Sequence, residues 1–155
     1  MEKIYLSSGT KETKALGKKI IQELSGQTVL CLAGELGGGK TTFAQGILES
    51  LGAERPFTSP TFLVMKEYLL PAQSGHQFER VYHLDAYRVD DRDILALGWK
   101  EILSNPRNLV LVEWPERIEK ILPSCVLWVE FVWIDRDKRQ ISLESRKFAK
   151  NSISC

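Results

Sequence analysis

The sequence predicts an α/β fold in three layers, with helices on both faces of a mixed parallel and antiparallel sheet. An apolar strand pattern, TVLCLAG, passes through a glycine-rich loop into the helical pattern TTFAQGILESLG, and this strand–loop–helix order is typical of parallel sheets. Several later strand patterns adjoin one another directly, which favours antiparallel pairs in the same sheet. With 155 residues the chain has the length of one domain, predicted to span residues 1–155.

Composition narrows the classes of protein. A net charge of +1 gives no general attraction to nucleic acid or to a membrane surface. No apolar run reaches membrane-spanning length, and the opening MEKIYLSSGT lacks the apolar core of a signal peptide. Cys31 and Cys125 lie in apolar strand-like runs and are predicted to be buried free thiols; together with Cys155 they lack metal-ligand spacing. The sequence therefore predicts a cytoplasmic protein.

The first half of the chain contains two helical patterns around one strand. The segment TKETKALGKKIIQELS has apolar residues at helical spacing, and Thr10 is predicted as its N-cap. TVLCLAG is a short buried strand. The helix TTFAQGILES is predicted to end before Gly52, since glycine adopts the left-handed conformation that closes many helices.

The second half is richer in strands. FLVMKEYLL and RVYHLDAYRV are predicted strands joined by the polar loop PAQSGHQFE. DRDILALGWKEIL is predicted to form one amphipathic helix, and NLVLVEW a buried strand that ends in a carboxylate and an aromatic residue. CVLWVEFVWI and RQISLES are predicted to pair as a terminal hairpin across DRDK.

The glycine-rich loop matches a phosphate-binding motif. Gly34, Gly39, Lys40 and Thr41 fit the pattern G-x-x-x-x-G-K-[ST] between a predicted strand and a predicted helix, which is the context that the motif requires. Glycines let backbone N–H groups turn towards phosphate oxygens, lysine supplies a positive charge, and the threonine hydroxyl can ligate Mg²⁺. The alternative, a flexible glycine turn, explains neither Lys40 nor the helix that follows. We therefore predict a phosphate-binding loop in a fold resembling that of P-loop NTPases.

Acidic and hydroxyl residues elsewhere are candidates to complete this site. Glu113 ends an apolar strand, where open α/β sheets bind ligands, and is a candidate Mg²⁺ ligand; the alternative is a solvent-facing acid. Asp85 ends another strand, and its spacing alone does not separate a structural role from water orientation. Ser59 and Thr61 flank Pro60 in a loop that either closes over a phosphate or forms a plain Ser-Pro turn.

Five segments in order resemble one family. GELGGGKTT, SPTF, YHLDAYR, DILALGWKEIL and LVEWPE occur at the spacing found in the bacterial TsaE family of tRNA threonylcarbamoyladenosine biosynthesis proteins, over roughly residues 5 to 123. The resemblance implies a magnesium-dependent ATPase needed for this modification in tRNAs that read codons beginning with A. It also implies that the protein acts with a transferase complex of TsaD and TsaB, resets that complex through its ATP cycle, and contacts tRNA only indirectly, with no membrane or DNA partner.

The resemblance also implies roles for individual residues. Thr41 and Glu113 would hold Mg²⁺, and Lys40, Asp85 and Glu113 would be catalytic. The residues that would contact ATP through its phosphates are Gly37, Gly38, Gly39, Lys40, Thr41 and Thr42.

Further roles concern the base and the partner. Thr10 falls where the family contacts the base, together with one basic residue among Arg136, Lys138 and Arg139. The residues that would sense the nucleotide and the partner are Ser59, Thr61 and Trp114.

Other functions fit the sequence less well. A P-loop kinase of a small molecule would need an arginine-rich lid, and only Arg88 and Arg92 cluster. A nucleotide-gated binding module, in which hydrolysis is incidental, is a third possibility. A GTPase is disfavoured, since it would need an N-K-x-D motif that the sequence lacks. His83 is interpreted as a structural histidine, and Trp128 and Trp133 as hairpin packing.

Overall fold

The structure is a computed structural model that describes residues 2–26, 28–58, 60, 63–72 and 75–148. Its strands are β1 (Lys3–Ser7), β2 (Val29–Gly34), β3 (Met65–Leu69), β4 (Arg80–Asp85), β5 (Asn108–Glu113), β6 (Cys125–Trp133) and β7 (Arg139–Lys147). Its α-helices are α1 (Thr10–Glu23), α2 (Lys40–Ser50), α3 (Asp91–Leu95) and α4 (Trp99–Ser104). Two 3₁₀ turns, Pro115–Arg117 and Glu119–Ile121, connect β5 to β6.

The strands form one mixed sheet in the order β1-β7-β6-β2-β5-β4-β3. The four central strands, β6, β2, β5 and β4, are parallel to one another. Antiparallel strands extend the sheet on both sides, with β7 and β1 at one edge and β3 at the other. The predicted mixed sheet and the terminal hairpin of β6 and β7 are thus confirmed. Because the central strands are parallel, the carboxyl ends of β2, β4 and β5 lie at the same end of the sheet, where α/β proteins place their sites.

Alternate residues of the central strands face two separate cores, because successive side chains of a strand point to opposite faces. Leu30 and Leu32 pack with α1 and α2, whereas Cys31 packs with α3, α4 and the segment that follows β5. Helices therefore cover both faces of the sheet, and the predicted three layers are confirmed. The described helices include none that is long and apolar enough to cross a bilayer.

Three local predictions were wrong, and one strand was missed. The segment predicted as one helix is two, α3 and α4, because Gly98 adopts a left-handed φ of 81° between them. Strand β1 was not predicted, and its apolar side chains Ile4 and Leu6 are 59% and 71% exposed, so they do not mark a buried face. Gly9, not Thr10, is the N-cap of α1. Cys31 is buried and free as expected, but Cys125 is disulfide-bonded.

Helices α1 and α2 approach closely at two glycines. A Cβ atom at Gly46 would lie 2.2 Å from the carbonyl oxygen of Lys14, and one at Gly17 would lie 2.4 Å from that of Phe43. Both obstacles are backbone atoms, so rotation of a side chain cannot relieve the clash.

We therefore expect Gly46→Ala to lower the free energy of unfolding by about 1–3 kcal/mol, the usual cost of overpacking, despite the better helix propensity of alanine. Urea denaturation measures this change. Ser50→Ala, in the last turn of the same helix, is the matched control and should change stability by less than about 0.5 kcal/mol. A Gly46→Ala protein as stable as the parent would contradict this account of the helix contact.

Candidate functional site

A cavity of about 390 Å³ opens at the carboxyl ends of β2, β4 and β5. The loop between β2 and α2 forms one wall, and the residues that follow β4 and β5 form the opposite wall. The lining residues are Leu36, Gly37, Gly38, Gly39, Lys40, Thr41, Thr42, Asp85, Tyr87, Arg88, Glu113, Trp114 and Arg139.

The loop can hold its path only with glycines at certain positions. A Cβ atom at Gly34, where φ is 128°, would lie 2.4 Å from the carbonyl oxygen of Phe131. At Gly38 it would lie 2.9 Å from the carbonyl oxygen of Glu35, to which the Gly38 N–H donates. The loop then enters the amino end of α2, an 11-residue helix, whose free N–H groups and dipole favour an anion.

Lys40 lies at the first position of α2 and its side chain is buried. Its ammonium group donates to the backbone carbonyl oxygens of Gly34 and Glu35, the second at 2.8 Å. The same group lies 4.2 Å from the centre of the Trp114 ring. Burial lowers the pKa of Lys40, and the negative charges of Glu113 and other nearby acids act in the opposite direction. The loop therefore holds a cation against the cavity wall.

Glu113 connects three elements. Its Oε1 accepts a hydrogen bond from the Thr41 hydroxyl at 2.9 Å and lies 2.8 Å from His83 Nε2. Glu113 is 4% exposed and His83 only 1% exposed. A carboxylate can only accept, so the Nε2 of His83 carries the proton in this contact. His83, interpreted from the sequence as structural, therefore fixes the orientation of the Glu113 carboxylate.

The oxygen groups at this point suit a hard cation. Thr41 and Glu113 supply a hydroxyl and a carboxylate in mutual contact, and Asp85 is the register partner of Glu113 across β4 and β5. The described residues contain no group of three or more histidine, cysteine or acidic side chains placed as a complete metal cage. Such a donor set fits Mg²⁺, which usually takes one or two protein oxygens and completes its shell with phosphates and water.

Trp114 has a strained backbone at the cavity wall. Its φ of 59° lies in the left-handed region, which non-glycine residues rarely adopt. Its ring packs on Tyr87, with the ring centres 4.8 Å apart. Strain of this kind often marks functional positions, and here it directs the indole towards Lys40.

The cavity brings together most of the residues that the sequence singled out. Thr10 is exposed and does not belong to the lining, so its contact with a base stays a prediction. Ser59 and Thr61 lie outside the described residues. Of the three basic residues considered for the base, only Arg139 lines the cavity.

Several residues of the site were missed. Leu36 and Tyr87 line the cavity, and the buried His83 contacts the Glu113 carboxylate. Trp133, interpreted as hairpin packing, is 53% exposed and donates from Nε1 to the carbonyl oxygen of Gly37 at 3.2 Å. Of these residues, only His83 could have been found from the sequence: it precedes Asp85 by two residues, so both side chains lie on the same face of the strand.

Comparison with known proteins shows the family. Residues 7–141 match the family model for threonylcarbamoyl adenosine biosynthesis protein TsaE. The chain is 34% identical over 147 residues to the tRNA threonylcarbamoyladenosine biosynthesis protein TsaE of Rickettsia typhi, covering 94% of this chain and 96% of that protein. It is 38% identical over 135 residues to the protein of the same name from Bacillus subtilis, covering 85% and 78%.

A solved structure gives the same relationship. The structure described as "Crystal structure of Bacillus subtilus YdiB" superposes with a TM-score of 0.73 at 29% sequence identity, covering 96% of this chain and 87% of that chain. The sequence resemblance covered roughly residues 5 to 123, and the family match extends it through β6 into β7. The chain belongs to the TsaE family of threonylcarbamoyl adenosine biosynthesis proteins.

Proposed function

We propose that this protein is a magnesium-dependent ATPase that serves threonylcarbamoyladenosine formation in tRNA. One observation carries the proposal: the glycine loop, the Lys40 ammonium and the Thr41–Glu113 pair line one cavity at the carboxyl edge of the sheet. A triphosphate needs all three, since it carries several negative charges and binds with a divalent cation. Lys40 and the loop amides bind the phosphates, and Thr41 and Glu113 hold Mg²⁺.

The remaining residues orient and exclude water. Mg²⁺, when bound, neutralises charge on the phosphates and so favours attack at phosphorus. Asp85 accepts the Tyr87 N–H at 2.9 Å, which fixes its carboxylate at the cavity wall, where it orients an attacking water. Trp114 and Tyr87 form an aromatic wall on the side of the cavity that follows β4 and β5.

The cycle of ATP binding and hydrolysis acts on a partner complex. In this proposal the transfer of the threonylcarbamoyl group belongs to TsaD with TsaB, and this protein resets that complex in the cytoplasm without a direct role on tRNA. Hydrolysis is favoured over transfer to a small molecule because the described lining contains two arginines, Arg88 and Arg139, and not an arginine-rich lid. A kinase of a small molecule would need an acceptor pocket beside the phosphates and an arginine-rich lid.

Hydrolysis in ¹⁸O-labelled water tests the proposal. An ATPase incorporates ¹⁸O into the released inorganic phosphate, detected by mass spectrometry, whether or not candidate acceptor molecules are present. A kinase transfers the unlabelled phosphoryl group to an acceptor. Labelled phosphate from the protein with TsaD and TsaB supports the proposal, whereas an acceptor-dependent loss of ATP without labelled phosphate contradicts it.

Substitution of the two acids should separate binding from turnover. We expect Glu113→Ala to lower the hydrolysis rate by about 100-fold or more while the glycine loop still binds nucleotide, because Glu113 places the cation but does not contact the phosphates. Asp85→Ala should likewise lower the rate more than the affinity if Asp85 orients water. Phosphate release and calorimetric titration measure the two quantities.

Conservative variants are the controls for this experiment. Glu113→Gln and Asp85→Asn keep side-chain volume, remove the charge and convert one acceptor oxygen into an NH₂ donor, so they distinguish loss of chemistry from a disturbed cavity. If Asp85→Ala hydrolyses ATP at the parental rate with partners present, Asp85 is structural and the water is oriented by another group.

A further inference from the structure

A second cavity lies beside the loop, with a volume of about 640 Å³. We call it the acidic aromatic groove, and the six residues that define it here are Glu35, Trp114, Glu116, Glu130, Val132 and Trp133. Trp114 lines both this groove and the phosphate cavity. Apart from Trp114, the residues that define the groove have no role in the proposed ATPase cycle.

The groove combines exposed apolar surface with negative charge. Val132 and Trp133 are 48% and 53% exposed. Glu35 and Glu116 are also exposed, and among the described residues neither carboxylate has a cationic group within 4.0 Å. The walls therefore repel phosphates and attract cations with an apolar stem.

The chain already holds one arginine in this way next to the groove. The Arg146 guanidinium lies 4.1 Å from the centre of the Trp128 ring and pairs with Glu144 at 2.9 Å and with Glu130 at 3.9 Å. Trp128 and Glu130 both line the groove. A guanidinium stacked on an indole and paired with carboxylates is thus an arrangement that this surface supports.

We propose that the acidic aromatic groove binds an arginine-containing segment of a partner protein, with the guanidinium held by the indoles of Trp114 and Trp133 and by the carboxylates of Glu35 and Glu116. Arginine fits better than lysine, because its planar cation stacks on aromatic rings and is less strongly hydrated. This binding is separate from ATP hydrolysis and does not require it.

Lys40 links the groove to the phosphate cavity. Its ammonium group donates a hydrogen bond to the carbonyl oxygen of Glu35 and lies over the Trp114 ring, so it contacts two residues of the groove wall. This link rests on the proposed function: a bound phosphate that draws Lys40 towards it exposes more of the Trp114 ring and moves a positive charge away from the groove, so ATP should tighten arginine binding. The effect is reciprocal.

The four tryptophan indole N–H signals in a ¹H–¹⁵N spectrum test the proposal. The probe is the peptide acetyl-Leu-Arg-Leu-Arg-amide, and the same peptide with citrulline in place of arginine is the uncharged control. We expect the signals of Trp114 and Trp133 to shift and saturate with the arginine peptide only. The signal of Trp99 should not move, because this residue is buried and donates to the carbonyl oxygen of Ile121.

Variants of the walls sharpen the test. Replacing both Glu35 and Glu116 by glutamine should weaken peptide binding by about fivefold or more, as expected for the loss of two partly exposed charge pairs. Glu54→Gln, on an exposed glutamate outside the groove, is the matched control and should leave the affinity unchanged. Equal shifts with the citrulline peptide, or shifts of the same indoles with a hexauridylate RNA and not with the peptide, would overturn the proposal.

Adding Mg-ATP distinguishes failure of the link from failure of the proposed function. If calorimetry shows that ATP binds and the peptide affinity still does not rise, the link through Lys40 is wrong. If ATP does not bind at all, the proposed ATPase function is wrong, while peptide shifts at Trp114 and Trp133 would still support the groove.

Discussion

Replacing Lys40 by alanine is expected to lower the affinity for Mg-ATP by about 100-fold or more. The ammonium group is buried at the loop, and hydrogen bonds between charged groups are each worth roughly 1.5–3 kcal/mol. The described residues that line the cavity include no second lysine to replace it. Thr41→Ala should have a comparable effect in the presence of magnesium, because in the proposed site the Thr41 hydroxyl is a metal ligand at the start of the helix that follows the phosphate-binding loop.

Matched variants separate this effect from damage to the fold. Lys40→Met keeps the apolar stem of the side chain and should bind Mg-ATP as poorly as Lys40→Ala. Thr41→Ser keeps the hydroxyl and should bind nearly as well as the parent. Circular dichroism and thermal unfolding confirm that each variant is folded, and isothermal titration calorimetry gives the affinity. Parental affinity in both Lys40→Ala and Thr41→Ala would exclude this loop as the phosphate site.

The parts of the site that are contiguous in sequence could be predicted from it. The loop, the lysine and the threonine lie within one strand–loop–helix unit, so their spacing alone places Lys40 and Thr41 at a helix start. Glu113 and Asp85 could be predicted because each ends an apolar strand, and parallel strands bring their carboxyl ends to the same edge.

Contacts between distant segments could not be predicted. The bond between His83 and Glu113 depends on the register of β4 against β5, which pairs His83 with Leu111 and Asp85 with Glu113. A shift of one residue would point these side chains to the other face of the sheet. The contact of Trp133 with Gly37 likewise depends on the parallel pairing of β6 with β2, which strand patterns alone do not fix.

The errors in the helices have local causes. Ile94, Trp99 and Ile102 all pack in the same core, so their periodicity indicates one helix although Gly98 breaks it. At the start of α1, threonine and glycine are about equally favoured as N-caps, so residue preference alone does not separate Thr10 from Gly9. In the structure α1 has no side-chain cap. The Thr13 hydroxyl donates to the carbonyl oxygen of Gly9 and Glu12 accepts the N–H of Ser8, so these side chains hold the backbone just before the helix.

Addition of TsaD with TsaB is expected to raise the rate of phosphate release well above that of the protein alone. An arginine supplied by a partner can raise phosphoryl-transfer rates by roughly 10³ to 10⁵. Within the cavity Arg88 and Arg139 are the arginines that could supply such a charge from the same chain. Arg88→Ala and Arg139→Ala therefore serve as comparisons: if one of them abolishes the rate of the protein alone, that arginine already acts in the chain itself.

The residues that the family resemblance assigns to nucleotide sensing should transmit this stimulation. Trp114 contacts Lys40 and Tyr87 at the cavity wall, so its backbone strain and ring position can differ between the ATP and ADP states. We expect Trp114→Ala to blunt the stimulation by partners and to leave nucleotide binding largely intact. Ser59→Ala and Thr61→Ala should have the same effect if the loop that contains them closes over the phosphates.

The measurement is phosphate release at saturating Mg-ATP, with and without partners, for the parent and each variant. Saturation matters because it removes differences in affinity, so only the rate of turnover is compared. Phe is the matched substitution at position 114, since Trp114→Phe keeps an aromatic face over Lys40 and should retain more of the stimulation than Trp114→Ala. Equal rates with and without partners would mean that the groups on one chain already complete the site, and the role of Trp114 would then be confined to holding Lys40.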